Sequence, residues 1–95
     1  MRIGWVYILT NKPYGTLYIG VTSNLAERLT QHRNGSASAF TKKYGLTRLV
    51  HYEVHDLVTV AIARESSLKR WKREWKIALI EKANPGWKEL GYTLL

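Results

Sequence analysis

Hydrophobic and polar positions fall into two β-like blocks, one block at helical spacing, a third β-like block and two more helical blocks. Trp5-Val6-Tyr7-Ile8-Leu9 and Leu17-Tyr18-Ile19-Gly20-Val21 are dense in β-branched and aromatic residues. Asn11-Lys12-Pro13-Tyr14-Gly15 between them carries the proline and glycine of a turn, which predicts a hairpin. From Leu25 the spacing changes: Leu25 and Leu29 repeat every four residues as the inner face of a helix, with Arg28 and His32 on a neighbouring polar edge. Asn24 with Glu27 three residues on predicts a capping box at its start, and Asn34-Gly35 its end. The small, polar stretch Ser36 to Gly45 predicts only a short helix in its second half, ending at the glycine. Thr47 to Val54 alternates as a third strand, with Val50, Tyr52 and Val54 on one face and Leu49, His51 and Glu53 on the other. Capping candidates from Asp56 to Thr59 precede a helix from about Val60 to Trp71. A second helix from about Glu74 to Lys82 closes at Asn84-Pro85-Gly86, because proline biases the preceding residue away from helix. Trp87, Leu90, Tyr92 and Leu94 are then placed to fold back as a C-terminal lid. The sum is an α+β domain, a small three-stranded antiparallel sheet flanked by helices.

Ninety-five residues, 45% of them hydrophobic, support one domain over 1–95 with a modest core and leave no room for a separate recognition module. Fifteen Lys and Arg against seven Asp and Glu give a net charge of +8. That field attracts polyanions, nucleic acid ahead of a membrane surface, although many small proteins are basic without binding DNA. With no cysteine, disulfides, thiolate zinc sites and cysteine nucleophiles are excluded. The N-terminus enters a strand at once and no stretch reaches roughly 18 apolar residues, so the expectation is a cytoplasmic protein, and a monomer.

The seven carboxylates, Glu27, Glu53, Asp56, Glu65, Glu74, Glu81 and Glu89, are too scattered to hold two cations about 4 Å apart, so hydrolysis here would use one metal ion or none. Glu65 lies between Ala61 and Leu68 on the stripe that should face the core. A carboxylate there needs a partner, either a hard cation or Arg28, Arg64 or Lys69. His51 and His55 do not suggest a metal site: four strand residues span about 13 Å, and both read as surface residues. Arg64 to Lys76 interleaves Lys69, Arg70, Lys72 and Arg73 with Trp71 and Trp75. This is either a backbone-binding surface with indoles for base stacking or a solvated face over core tryptophans, the core role being expected for Trp71. Taken singly, Tyr7 and Tyr18 read as strand aromatics, Arg28 as a solvated helix charge and His32 as a surface residue near a helix C-terminus.

Taken in order, the residues say more. Val6-Tyr7-Ile8, Tyr18-Ile19-Gly20, Asn24-Leu25, Arg28 and His32, then Ala63-Arg64-Glu65 and Asn84-Pro85-Gly86-Trp87, resemble the GIY-YIG nucleases in their small stand-alone bacterial branch, over nearly the whole chain. The resemblance implies a metal-dependent DNA endonuclease of repair or processing. It makes Tyr7 the general base, Tyr18 a phosphate-positioning or second acid/base hydroxyl (the two roles being exchangeable) and Arg28 the ligand of the scissile phosphate. It makes His32 an aid to the base or a phosphate contact, and Glu65 the single protein ligand of one Mg²⁺ or Mn²⁺. Gly20, Lys42, Lys43, Lys69, Arg70 and Arg73 are the candidates for DNA contact, and Asn84 reads as a turn residue. One departure matters: Val21 stands where some members carry a lysine, a cation that Lys42 or Lys43 would have to replace. No groove-reading module is recognisable, so branched or single-stranded DNA, or a protein partner that supplies specificity, is expected to direct cutting. Two rivals remain, a nucleic-acid-binding protein with little or no turnover and an interaction module that lends the fold to a partner.

Overall fold

The structure, a computed structural model, describes residues 2–93. Strand β1 (Gly4–Thr10) is central, paired antiparallel with β2 (Leu17–Thr22) on one side and β3 (Arg48–His55) on the other. Helices α1 (Leu25–Arg33) and α2 (Ala39–Tyr44) lie between β2 and β3 in the chain; α3 (Val58–Arg70), α4 (Arg73–Ala83) and a 3₁₀ turn (Gly91–Thr93) follow β3. The fold is the expected α+β one, a three-stranded antiparallel sheet with helices.

Alternation along β1 builds a core on each face of the sheet. Val6 and Ile8 join Ile19, Val50, Ala61, Leu68, Ile80 and Trp87 on one side, while Tyr7 and Leu9 join Leu25, Leu29, Leu46 and Leu49 on the other. The sheet is therefore sandwiched, with α3 and α4 against one face and α1 against the other. The expected alternation of β3 breaks: Ile8 pairs with His51 and Leu9 with Leu49, which leaves Val50 as the extra residue of a bulge. The bulge turns Val50 to the side of Val6 and Ile8, so it does not share a face with Tyr52 and Val54, which are exposed.

The helix boundaries lie within two residues of expectation, but their caps differ. Asn24 accepts from the Glu27 amide (3.1 Å) as expected, while its own backbone N–H donates to Thr22 Oγ1 (3.1 Å), so the Glu27 carboxylate takes the Asn24 side-chain amide instead (3.3 Å). For α3 the cap is Leu57, without a side-chain bond, and the Val58 N–H is satisfied by the Arg2 carbonyl (2.9 Å). The short α2 runs from a Ser38 cap to Gly45, whose φ of 64° suits the left-handed position that ends a helix.

The C-terminal segment is a strut more than a lid. Trp87 is buried and donates from its indole to Glu81 Oε2 (3.0 Å); the same oxygen accepts from the Tyr14 hydroxyl (2.5 Å), and the two rings meet at 4.9 Å. Tyr14 and Trp87 both hold positive φ, 59° and 53°, a conformation that side-chain-bearing residues keep only when their surroundings over-determine it. Leu90 packs against the α1-side core, Tyr92 is exposed, and Leu94 lies outside the described residues. Asn84 is the turn residue expected, its amide donating to the Val50 and Lys88 carbonyls (3.1 and 2.9 Å) and accepting from the Lys88 N–H.

Candidate active site

Antiparallel register sets Tyr7 opposite Gly20 and Leu9 opposite Tyr18, so both phenols project from the face that α1 covers. Gly20 has a steric reason to be glycine, since a Cβ there would run into the ring and hydroxyl of Tyr7. The close approach at this glycine is made by the neighbouring strand's phenol. Tyr7 is fully buried and Tyr18 half-buried, with ring centres 6.3 Å apart.

His32 departs from its expectation as a surface residue. One helical turn beyond Arg28, it is 2% exposed, wedged between the two tyrosine rings at 5.6 and 5.5 Å. Its position in the chain fits a helix end, but its direction follows the Leu25–Leu29 stripe inward. Its Nε2 is 2.8 Å from the Tyr7 hydroxyl and its Nδ1 is 3.0 Å from Thr41 Oγ1. Thr41 donates to the Ser38 carbonyl (3.1 Å), so its oxygen accepts from Nδ1–H. Nε2 is thereby left as the acceptor of the Tyr7 proton. Burial pushes the His32 pKa down to about 4, with the Arg28 charge adding to it. Burial also drives the Tyr7 hydroxyl well above its ordinary 10, assisted by Tyr18 and Glu65 and opposed by Arg28. At neutral pH the proton therefore rests on Tyr7, held toward a neutral imidazole.

Those influences on Tyr7 place the rest of the site. The charges of Arg28, Tyr18 and Glu65 are all felt at its hydroxyl, which brings residues of β2, α1 and α3 into its electrostatic surroundings. Glu65 is partly buried on α3 between the buried Ala61 and Leu68, as its spacing predicted. Its carboxylate is paired with Lys69 at 3.2 Å. Among the described residues no three His, Asp or Glu side chains gather as a metal cage. A lone carboxylate such as Glu65 could hold only an ion that keeps most of its coordination for water and phosphate.

The other candidates are spread out. Lys42 and Lys43 are exposed on α2, Lys43 lying over the Tyr44 ring at 5.3 Å. Lys69 belongs to Glu65, and Arg70 is exposed. Arg73 is committed elsewhere, its guanidinium donating to the Tyr14 and Gly15 carbonyls (2.6 and 2.7 Å) and pinning the hairpin turn to α4. Trp71 packs partly against the core and Trp75 is exposed beneath Lys72. The sequence reading passed over Phe40 and Tyr44. They sit four apart on α2, both about 45% exposed, and Phe40 stacks on Tyr18 with ring centres 6.3 Å apart and planes 29° apart. That i, i+4 aromatic pair beside two lysines was the available signal. His51 and His55 are less exposed than surface residues: the two-residue alternation puts both beside Glu53, which each touches through Nε2 (2.9 and 3.2 Å).

The profile of the GIY-YIG catalytic domain matches residues 3–78. A UPF0213 protein of Syntrophus aciditrophicus is 38% identical over 90% of this chain and 97% of its own length, and one of Clostridium perfringens is 36% identical over 82% and 83%. The solution structure of a UPF0213 protein from Bacillus halodurans superposes with a TM-score of 0.58 at 26% identity, covering 99% of this chain and 97% of that one.

Proposed function

Because the chain belongs to the GIY-YIG catalytic-domain family and is a relative of the UPF0213 proteins, we propose that it is a DNA endonuclease acting on a strand unpaired at the cut. The observation that carries this reading is the buried Tyr7 hydroxyl, 2.8 Å from His32 Nε2 and under the charges of Tyr18, Arg28 and Glu65. In the reaction, Arg28 binds the scissile phosphate and Tyr18 orients it. Tyr7 takes a proton from the attacking water while its own passes to His32 Nε2, whose Nδ1–H stays on Thr41. The water oxygen bonds to phosphorus as the P–O bond to the leaving sugar oxygen breaks. Glu65 would hold one Mg²⁺ or Mn²⁺, which when bound supplies stabilisation for charge building on the phosphate and leaving oxygens.

The unpaired strand follows from the aromatic series. Tyr18, Phe40 and Tyr44 run outward from the site to solvent beside Lys42 and Lys43, an arrangement that takes splayed bases on ring faces and phosphates on ammonium groups. A second reading, a DNA-binding protein with little turnover, draws on the Lys69 ammonium already seated on Glu65 and on Val21. Incubation of single-stranded, branched and duplex DNA with Mg²⁺ or Mn²⁺ separates the two, with wild type beside Arg28→Ala and Glu65→Ala. The nuclease reading expects metal-dependent cutting, strongest on unpaired strands and lost in both variants. Binding without cutting by wild type would establish the second reading in its place.

A further inference from the structure

Outside the site, the most heavily bonded group is the carboxylate of Glu53 on β3. It accepts from His51 and His55 and from both Nε and Nη2 of Arg64, each at 3.0 Å. Four donors on two oxygens hold that carboxylate far below the usual carboxylate range, led by the His51 bond. Arg64 is fixed on a second side as well, its guanidinium lying over the Trp71 ring at 5.1 Å. A bidentate fork and a stacked plane leave it little rotational freedom. The next residue along α3 is Glu65.

The geometry points to Arg64, locked between Glu53 and Trp71, as the positioning residue that sets the rotation of α3 and so aims Glu65 into the site. This rests on the nuclease reading and deepens it. The expected route is local. Successive helical residues are separated by about 100° around the axis, so a fork that fixes Arg64 on the β3 side fixes the direction of its neighbour. α3 has no side-chain cap to do so at its N-terminus, and its core contacts are Ala61 and Leu68, aliphatic groups that permit small rotations. Arg64, about 30% exposed in its side chain, lies on the sheet face opposite the Tyr7 hydroxyl. Its guanidinium is engaged by Glu53 and Trp71, so it acts on the site through Glu65.

The test compares wild type with Arg64→Lys and Glu53→Gln by Mn²⁺ calorimetry, by single-stranded DNA cleavage with kcat and KM separated, and by thermal melting. Lysine keeps the charge and loses the fork. The clamp predicts that in each folded variant Mn²⁺ affinity and kcat fall by about tenfold or more while KM for DNA stays within about twofold, the scale of outer-shell effects on a metal ligand. Variants that melt lower but retain wild-type Mn²⁺ affinity and kcat would overturn it, since Arg64 would then only staple α3 to β3. Failure of both variants to fold would overturn it on the same ground. A wild-type chain that neither binds Mn²⁺ nor cuts removes the nuclease reading together with the clamp; one that does both, with Arg64→Lys indistinguishable from it, removes the clamp alone.

Discussion

At the scale of single residues, His32 is the side chain whose placement has the largest consequence, buried between the rings of Tyr7 and Tyr18. Tyr7, Tyr18, Arg28 and Glu65 are candidates through the family likeness, since spacing alone gives the first three ordinary strand and helix roles and leaves Glu65 open. The burial of His32 depends on how far α1 rolls on the sheet, and spacing places a side chain only to within part of a turn. That burial has a titration consequence. The folded His32, at about 4, refuses the proton that an unfolded histidine takes up below 6.5. Its contribution to stability is therefore present above 6.5, declines as pH falls toward 4 and is gone below that. The drop corresponds to on the order of 3 kcal/mol. Urea unfolding at pH 7 and pH 4.5 should show this loss in wild type and a smaller one in His32→Asn; equal losses would remove His32 as the cause. Gly20 makes a second residue-scale prediction. Gly20→Ala must displace the Tyr7 ring, which should lower stability by roughly 1–3 kcal/mol, as overpacking does, and lengthen the Tyr7–His32 bond. An unchanged denaturation midpoint would show that the strands can yield there.

At the scale of elements, periodicity found each strand and helix but missed where registers slip and what fastens one element to the next. The bulge that turns Val50 away from the face of Tyr52 and Val54 comes from tertiary pairing with β1, and nothing in an alternating strand announces it. Fastenings are likewise long-range. Arg73, which its basic neighbourhood marks as a DNA contact, spends its donors on the hairpin carbonyls fifty-eight and fifty-nine positions earlier in the chain. Arg73→Met should therefore cost about 1 kcal/mol, the scale of a hydrogen-bond loss, and speed amide exchange at Gly15 and Thr16, with DNA affinity nearly unchanged. The opposite pattern, weaker DNA binding at constant stability, would return Arg73 to the nucleic-acid surface. The Lys69–Glu65 pair, an i, i+4 contact between an exposed ammonium and a partly buried carboxylate worth a few tenths of a kcal/mol, predicts that Lys69→Met changes stability little and tightens Mn²⁺ binding by freeing the carboxylate. Unaltered Mn²⁺ affinity would show that the lysine is no competitor.

For the whole molecule, composition set the partner class and topology set the site. A net charge of +8 implies binding that weakens steeply with salt, by a slope of about 0.7 per phosphate neutralised on a single strand. It says nothing of where the strand lies. On the proposed reading the sandwich answers that: α1 carries His32 to the phenol of the central strand, the Glu65 charge on α3 is felt there, and α2 adds exposed rings and lysines beside Tyr18. The family likeness leads to the expectation of one shared site; the aromatic series from Tyr18 through Phe40 to Tyr44 is legible only in the packing of α2. The account stands on Glu65 working with Tyr7 in one hydrolytic site. Single-turnover cleavage of a single-stranded oligonucleotide in Mn²⁺, wild type against Glu65→Gln with binding followed on the same samples, tests it most directly. Glu65→Gln should bind the strand within about twofold of wild type and cut it at least about a hundredfold more slowly, the range for losing a group that stabilises the transition state. Equal cleavage by the two proteins, or cleavage that persists when the metal is chelated, would contradict it.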